Sequence, residues 1–429
     1  MSILLTPFDC YAFANAWEDA ALGKNATIQA TDASSLMSVG EAILQTGLDN
    51  TIGSLYMLIG NIWTASRKYN GKGRVVQARD SGIFSHRFLK TSVYSQRAIA
   101  SGYWNTQIMP ENFKPGATNG QELDPVTGQP VSTKSMWEQN PPVTQTFSFG
   151  GSNVIDFEAP TMYLDKLEAC FRDVGEFRDW VNGVAQQFNN DLEQYQENFN
   201  RMQLVAAMAQ DVDMEADRPE SVVHCITEFK DEFDMQSATK DEILTVYAKD
   251  FYTWLSAKID IVVDRMKERS LLFHWNPVKT VGSKTYDLPR FTGASDLKAA
   301  AYSPFYTKME KYVLPEIFNS GLLKIDTGSF EKFSYWQDIN TPGEISVTPA
   351  VNDTDSTSAT YMQQITGTAV EAEPILYLWD RDRLLSDIQL KRSLTSPVEA
   401  RRGIINTFHH WAFRWICDAT ENSCVFLLD

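Results

Sequence analysis

The strongest periodic pattern in this sequence lies between residues 176 and 210. Apolar side chains recur there at steps of three and four, which keeps one face of an α-helix apolar over many turns. They are Phe177, Val181, Val184, Phe188, Leu192, Tyr195, Phe199 and Met202. The opposite face, which we expect to be exposed to water, carries Asp179, Asn182, Gln186, Asn189, Glu193, Glu197 and Gln203. At 1.5 Å per residue this helix would span roughly 50 Å, longer than the usual helix of a domain. The pattern predicts a strut that lies across a sheet.

A soluble coiled coil is the alternative interpretation of this helix. The apolar period is closer to about 3.6 residues than to 3.5, which favours the strut. No proline interrupts the pattern, and Gly183 is its only weak position. Asp173 and Glu176 are spaced as a capping box, which would satisfy free amides in the first turn.

Composition limits the classes of protein to consider. A chain of 429 residues is long enough for two or three domains, and its net charge of −17 argues against a general nucleic-acid binder. The five cysteines form no CxxC pair and have no metal-ligand spacing. The start of the sequence has no secretion signal, and its most apolar window, residues 54–63, is too short to cross a bilayer. We expect a soluble protein with no membrane partner, no metal and no cofactor.

A basic segment precedes a long turn-rich stretch. Between residues 67 and 97 eight cationic side chains are opposed only by Asp80, and these are Arg67, Lys68, Lys72, Arg74, Arg79, Arg87, Lys90 and Arg97. Residues 110–142 are rich in glycine, proline and asparagine. A structureless run of this length is unusual inside one domain. We interpret residues 67–142 as a long hairpin stabilised by another chain, with a solvated surface loop as the alternative.

The remaining patterns predict a mixture of helices and strands. Residues 1–32 have no strong period and are typical of an arm. Helices are predicted within residues 38–67, 161–171, 241–269 and 295–318. Strands are predicted within residues 83–94, 143–149, 154–157, 221–229, 330–336, 345–347 and 375–379. Residues 352–359 (NDTDSTSA) read as a polar, flexible insert.

Residues with catalytic potential are few. His409 and His410 are adjacent, so they point to different sides of a helix or strand and are poorly placed to share a metal. The alternating Asp380, Arg381, Asp382 and Arg383 are better explained as mutual neutralisation at a strand end than as a carboxylate pair for glycoside chemistry. The chain has no GxSxG, P-loop, GxGxxG or HExxH motif. We therefore predict no enzyme activity and assign no catalytic, cofactor-binding or metal-binding residue.

Several short segments resemble tailed-phage major capsid proteins. Residues 165–171 (DKLEACF), followed by Glu176 and Phe177, resemble the segment that introduces the spine helix of that family. Residues 288–290, 296–298, 305–312 and 333–337 resemble the axial domain of capsid proteins from short-tailed and gut phages. The closing segments are the most specific, and they are residues 378–382, 396–397, 406–411 and 421–426. The resemblance covers roughly residues 38–429 and is weakest in residues 1–32 and around Asn352.

The resemblance implies an α+β fold of the Hong Kong 97 type. On this interpretation residues 1–66 form an N-terminal arm with helices, and residues 67–142 form the extended loop. Residues 143–220 form a peripheral domain with the spine helix at 176–210. Residues 221–385 form an axial domain with an insert near 350–360, and residues 386–429 return to the peripheral and axial sheets.

The implied function is that of a major capsid protein. Such a protein assembles with itself into hexamers and pentamers of an icosahedral phage head that encloses double-stranded DNA. Its expected partners are a portal protein at one vertex, a scaffold, decoration or head-fibre proteins, and packaged DNA bound non-specifically. Its expected location is the virion, after assembly in the host bacterial cytoplasm. An encapsulin-like nanocompartment shell protein and an acidic soluble carbohydrate enzyme are the alternatives.

The basic hairpin supplies the candidate site residues. We predict inter-subunit contacts at Arg79, Arg87, Phe88, Lys90 and Arg97, with the cations facing acidic surface of the adjacent subunit, such as the polar face of the spine helix. The opposite charges of the two segments motivate this pairing, and charge reversal of Arg87 and Lys90 together should impair assembly more than folding. The competing interpretation directs these cations inward to packaged DNA.

Overall fold

A computed structural model describes most of the chain and confirms the predicted α+β class. The described residues are 7–22, 29–45, 72–73, 76–79, 88–95, 122–123, 130–131, 142–149, 153–158, 162–163, 174–281, 284–313, 329–355, 357–397 and 404–429. The α-helices within them are α1 (Pro7–Leu22), α2 (Ala33–Gln45), α3 (Val174–Asp213), α4 (Cys225–Glu232), α5 (Lys240–Thr245), α6 (Ala248–Lys267) and α7 (Ser303–Val313).

The strands group into two larger sheets and several two-stranded pairs. The strands before α3 are β1 (Gln77–Arg79), β2 (Phe88–Val93), β3 (Glu122–Leu123), β4 (Pro130–Val131), β5 (Thr144–Phe149), β6 (Asn153–Glu158) and β7 (Met162–Tyr163). The next nine strands follow α3 in the chain. They are β8 (Val222–His224), β9 (Lys279–Val281), β10 (Lys284–Tyr286), β11 (Leu297–Tyr302), β12 (Ser329–Phe333), β13 (Ile345–Val347), β14 (Ala350–Asn352), β15 (Gln364–Thr366) and β16 (Val370–Ala372). The last are β17 (Pro374–Asp380), β18 (Leu384–Thr395), β19 (Ile404–Ile405), β20 (Thr407–Cys417) and β21 (Ser423–Leu427).

The centre of the fold is a five-stranded sheet in the order β12-β11-β17-β21-β8. All residues of β17 and β21 are buried, so both faces of the sheet are covered. Alternate residues of β17 enter different cores: Leu376 and Leu378 pack with α4, α6 and α7, whereas Tyr377 and Trp379 pack with α3. This period of two follows from the pleat of a strand and places the sheet between two helical layers.

Helix α3 contains the predicted strut and occupies the space between the two larger sheets. Leu204, Val205 and Met208 pack against the five-stranded sheet. On the other side the amide of Gln203 donates to Leu385 O at 2.9 Å and to Ile416 O at 3.2 Å. Those carbonyls belong to the four-stranded sheet, whose order is β1-β18-β20-β6. The helix therefore links the two sheets.

The prediction of one fully exposed polar face on α3 was wrong toward its C-terminal end. Glu197 and Gln203 were both expected to be exposed to water, but both are buried. Gln203 satisfies its amide on the two strand carbonyls, and Glu197 accepts from Arg201 one turn later. A second sheet lies on the side that the periodicity assigned to solvent, so hydrogen bonds between side chain and backbone replace hydration there.

Some predicted elements have a different secondary structure. Residues 1–32 were expected to lack a regular element, yet α1 forms there because Ala14 and Trp17 are buried and α1 packs on α2. Residues 297–302 form β11 and not helix. This strand lies between β12 and β17, and its alanines fit between the two helical layers, so tertiary packing overrides their helix propensity.

Two further predictions need correction. The strand predicted at residues 221–229 ends at His224, after which α4 begins and directs Ile226 and Phe229 into the core. Met162 and Tyr163, predicted as helix, pair as β7 with β19, and the rest of that predicted helix lies outside the described residues.

The predicted helices at 241–269 are confirmed as α5 and α6. The strands predicted at 143–149, 154–157, 345–347 and 375–379 are also confirmed.

Truncation of the buried side of α3 should cost much more stability than truncation of its exposed side. We predict that Leu204→Ala lowers the free energy of unfolding by about 2–5 kcal/mol, because it leaves a cavity beside the central sheet. Met202 lies on the same helix and is 49% exposed, so Met202→Ala should cost less than about 1 kcal/mol. Denaturant titration of both variants measures the difference, and equal losses would contradict the packing described for α3.

Candidate subunit interface

Strands β2 and β5 form an isolated antiparallel ribbon, here called the ribbon. They pair over six residues, from Phe88 opposite Phe149 to Val93 opposite Thr144. Tyr94 N donates to Val143 O at 2.9 Å, which extends the pairing by one step. The connection between residues 95 and 142 therefore leaves and returns at one end of the ribbon.

The inner face of the ribbon is held by a cluster of four charged side chains. The ammonium of Lys90 contacts the carboxylates of both Asp418 and Glu421. The guanidinium of Arg290 lies 3.1 Å from Glu421 Oε1 and donates to Ser92 Oγ at 2.9 Å. Two cations and two anions are thus brought together with no net charge, on residues that are far apart in the sequence.

Burial and charge pairing shift the pKa values of these groups in opposite directions. Burial alone would lower the pKa of Lys90, but Asp418 and Glu421 more than offset it and the pKa is raised. Burial would raise the pKa of Asp418, yet Lys90 and two hydrogen bonds from Thr420 lower it below its ordinary value. For Glu421 burial is the larger effect, so its pKa is raised despite Lys90 and Arg290. Lys90 and Asp418 consequently form the best-stabilised pair of the cluster.

Hydrogen bonds outside the charged cluster also fix the ribbon along its length. The phenol of Tyr94 donates to Pro277 O at 2.6 Å, and burial together with nearby Tyr361 raises its pKa to about 12. Ser95 N donates to Asp287 O at 3.0 Å. The ammonium of Lys279 donates to Thr144 O at 2.7 Å on the second strand. Both strands are therefore attached to the body of the protein.

The outer face of the ribbon has a different character. Its described side chains are exposed and carry no charge; they are Leu89, Thr91, Val93, Thr144 and Thr146. Leu89 is 61% exposed and Val93 60% exposed, which is high for large apolar residues on a strand. Val93 also lines a cleft of about 550 Å³ together with Phe291, which is 63% exposed. Val93 and Phe291 therefore place two exposed apolar side chains at one cleft beside the outer face of the ribbon.

The structure places some of the predicted site residues and leaves others undescribed. Arg79 is the last residue of β1, opposite Asp387 of β18 in the parallel register, and Phe88 begins β2. Arg87 and Arg97 lie outside the described residues. Lys90 was predicted to meet an adjacent subunit, but its ammonium pairs with two carboxylates of its own chain. This pairing is possible because the alternation of β2 turns Lys90 inward, and reversal of its charge would therefore disturb the chain itself.

Sequence reasoning missed the residues that hold the ribbon. Asp418 and Glu421 follow β20, and Arg290 follows β10, so no local pattern links them to Lys90. The one local signal was the Asp418-x-Thr420 spacing, typical of a turn in which the carboxylate accepts from a backbone amide two residues later. That spacing predicts a turn and does not indicate its partner.

Among the residues that the structure describes, no group of three or more histidine, cysteine, aspartate or glutamate side chains could hold a metal ion. Of the helices that the structure describes, none is both long enough and apolar enough to cross a membrane.

Comparison with known proteins gave matches to solved structures alone. No protein-family model matches the sequence, and neither does any curated protein. A chain from the capsid structure of Staphylococcus phage Andhra is 12% identical, with 84% of each chain covered and a TM-score of 0.46. A chain from the structure of the head fibre and inner core protein gp22 of native bacteriophage P68 is 10% identical, with 83% of each chain covered and a TM-score of 0.47. A chain from the capsid structure of cyanophage P-SCSP1u is 10% identical, with 84% of this chain and 89% of that chain covered and a TM-score of 0.41. These are phage capsid and head structures.

The Lys90 cluster leads to a prediction about stability and pH. We predict that Lys90→Met lowers the free energy of unfolding by about 2–4 kcal/mol near neutral pH, since it leaves two carboxylates without their cation. Lys240 forms an ion pair with Glu373 in which both side chains are more than a third exposed. Lys240→Met should therefore cost less than about 1 kcal/mol and serves as the control.

The pH dependence follows from the two pKa directions. A lowered pKa of Asp418 stabilises the fold above its ordinary value of 3.8, and this stabilisation is lost as the pH falls through the lowered value. A raised pKa of Lys90 stabilises below 10.5 and is lost as the pH rises through the raised value. The stability difference between wild type and Lys90→Met should be largest near neutral pH and should shrink as the pH falls and the two buried carboxylates of the variant become protonated. A difference that grows toward low pH would contradict the assignment.

Proposed function

We propose that this chain is the major capsid protein of a tailed phage, with a fold of the Hong Kong 97 type. In this proposal it assembles into hexamers and pentamers of an icosahedral head that encloses double-stranded DNA, and it has no enzyme activity. The observation that carries the proposal is the ribbon: its inner face is anchored in its own chain, while its outer face is uncharged, partly apolar and exposed. The sequence resemblance to major capsid proteins supports the same function.

The energetics of the outer face fit repeated assembly. Burial of a partly exposed Leu89, Val93 or Phe291 against a second copy would contribute about 1–2 kcal/mol per side chain. One such contact is too weak to hold two subunits together against the entropy lost on association. The same contact repeated around a ring and over a shell gives a stable particle, while each contact remains reversible enough for wrongly placed subunits to dissociate.

The proposal also assigns the parts of the chain. Helix α3 is the spine helix, and the ribbon is the base of an extended loop formed by residues 67–142. Residues 1–66 are the N-terminal arm, 143–220 the peripheral domain, 221–385 the axial domain, and 386–429 the return to the peripheral and axial sheets. An extended loop would lie on a neighbouring subunit, since ordering a chain costs on the order of 1–2 kcal/mol per residue and needs contacts to offset it.

The partners in this proposal are those of a phage head. They are other copies of the chain, a portal protein, a scaffold, decoration or head-fibre proteins, and packaged DNA held non-specifically. Arg79, Phe88, Arg87 and Arg97 remain proposed inter-subunit contacts, and the net charge of −17 makes tight general DNA binding unfavourable. Assembly would take place in the host bacterial cytoplasm, and the product would be part of the virion.

Electron microscopy of the purified full-length chain tests the function directly. Expressed alone or with its scaffold, the protein should form closed shells or sheets of hexamers that sediment far faster than a monomer of 48.5 kDa. A monomer at all concentrations, with or without neighbouring phage head proteins, would overturn the proposal.

Charged substitutions on the outer face should block assembly without unfolding the subunit. We predict that Leu89→Asp with Val93→Asp reduces particle yield at least about tenfold, because repeated burial of carboxylates at every contact is unfavourable. The far-UV circular dichroism and the thermal midpoint should stay close to wild type, since both side chains are already exposed. Particle yield is measured by sedimentation and negative-stain microscopy.

A matched control separates this effect from a general effect of charge. Phe233 is also a large exposed apolar residue, at 49%, and lies at the end of α4 on a different element from the ribbon. Phe233→Asp should leave particle yield within about twofold of wild type, in line with the small effect of most surface substitutions. Normal shells from the Leu89→Asp, Val93→Asp variant would exclude the outer face as an assembly surface.

A further inference from the structure

A second long hairpin lies close to the ribbon. Strand β13 pairs with β16 and, further along, β14 pairs with β15, so residues 345–372 form one hairpin in two stretches. This segment, here called the strap, was predicted from sequence to carry a flexible polar insert. Apart from Ser356, which lies outside the described residues, the insert is instead the turn that closes the strap.

The middle of the strap is fixed to the last turn of α3. The amide of Gln210 donates to Ala350 O at 2.9 Å. Thr368 N donates to Asp213 Oδ2 at 3.1 Å, and the hydroxyl of Thr368 donates to the same carboxylate. Gly367 N donates to Pro349 O at 2.8 Å and closes the strap at this level. Both sides of the strap are therefore attached to α3.

The tip of the strap is shaped by Asp353. Asp353 N donates to Gln363 O at 2.9 Å, and Met362 N donates to Asp353 O at 3.0 Å. Its carboxylate accepts from Thr360 Oγ1 at 2.6 Å. Met362 is held at a φ of +65°, an uncommon value for a residue with a side chain. This closed turn presents Tyr361 and Met362 together on one side.

Tyr361 and Met362 pack on the hydrophobic cluster that the inner face of the ribbon also enters. Both side chains are half-buried, and the cluster includes Phe147 and Phe149 of β5. The same cluster contains Trp275, Met214, Val351, Leu385, Ile416 and Ala419. Tyr361 is also close enough to Tyr94 to affect its ionisation. The tip of the strap and the charged cluster of Lys90 therefore hold the same face of the ribbon.

We propose that the strap is a positioning element for assembly: it braces the ribbon against the spine helix and so sets the angle at which the proposed extended loop leaves the subunit. Tyr361 and Met362 are its positioning residues. A tip that shares a hydrophobic cluster with β5 and a middle that is hydrogen-bonded to α3 leave the ribbon little freedom to pivot about the Lys90 cluster. The brace is inferred from contacts within one chain, and the role of the strap in assembly rests on the proposed function.

Hydrogen–deuterium exchange of the full-length chain tests the brace. The variant Tyr361→Ser with Met362→Gly removes both side chains, and glycine accepts the positive φ of residue 362, so the turn itself is kept. We expect exchange of the ribbon amides in residues 88–94 and 144–149 to become roughly tenfold faster, with α6 unchanged, because ribbon opening no longer disrupts these contacts. Gln364→Ala is the matched control, since Gln364 lies on the strap but is exposed.

A second variant tests the other end of the strap. At Gly367 a Cβ would lie 2.2 Å from Asp213 Oδ2 and 3.1 Å from Pro349 O, so Gly367→Ala displaces the Asp213 carboxylate from its hydrogen bonds with Thr368 and weakens the attachment of the strap to α3. It should also accelerate exchange in the ribbon although residue 367 belongs to neither of its strands. Unchanged ribbon exchange in both variants overturns the proposal, as does faster exchange that is equally large in α6 and in the ribbon for both.

Assembly is measured separately on the same proteins. If wild type forms shells, the strap variants should give fewer shells or shells of irregular diameter, while Gln364→Ala gives normal ones. Normal shells from variants with accelerated ribbon exchange would exclude the role in assembly and keep the brace. Absence of shells from wild type would instead contradict the proposed function, and the exchange data would still decide on the brace.

Discussion

A buried carboxylate, that of Asp211 near the end of α3, joins several distant elements among the described residues. Arg218 Nη1 lies 2.7 Å from Asp211 Oδ1, and the guanidinium of Arg383 contacts the same oxygen. All three side chains are fully buried, so each charge would be costly without the others. Arg383 also donates to Tyr377 OH and to Asp418 O, both at 2.8 Å. Burial lowers the pKa of Arg218 despite Asp211, whereas for Arg383 the effect of burial is outweighed by Asp211 and Tyr377 and the pKa is raised.

This junction determines where the ribbon is attached. Asp418 N donates to Arg383 O at 3.0 Å and its carbonyl accepts from Arg383, so its backbone is fixed by the junction. The carboxylate of the same residue holds Lys90. Helix α3, the turn between β17 and β18 and the ribbon are thus connected through Asp211, Arg383, Asp418 and Lys90.

The sequence predicted the elements that depend on local periodicity. It did not predict the features that depend on contacts between distant parts of the chain. The length of α3 and strands such as β17 followed from steps of three or four and from short β-branched and aromatic runs. The ion pair of Lys90 with Asp418 joins residues 328 positions apart, and no pattern within a strand reports such a partner. The same limit explains β11, whose alanines favour helix locally but lie in the centre of a sheet. It also explains Gln203, which is polar by pattern yet buried because a second sheet covers it.

The inner and outer faces of the ribbon make interactions of different strength. Inside the chain, desolvated charges and hydrogen bonds fix the ribbon, and removing one partner of such a group costs several kcal/mol. On the outside, uncharged side chains offer a contact of about 1–2 kcal/mol each, which binds only when many copies act together. In the proposed shell this difference would let each subunit keep a defined shape while contacts between subunits form and break. The strap is consistent with this difference. It adds to the contacts within the chain, and in the proposed shell it leaves the outer face of the ribbon accessible to another copy.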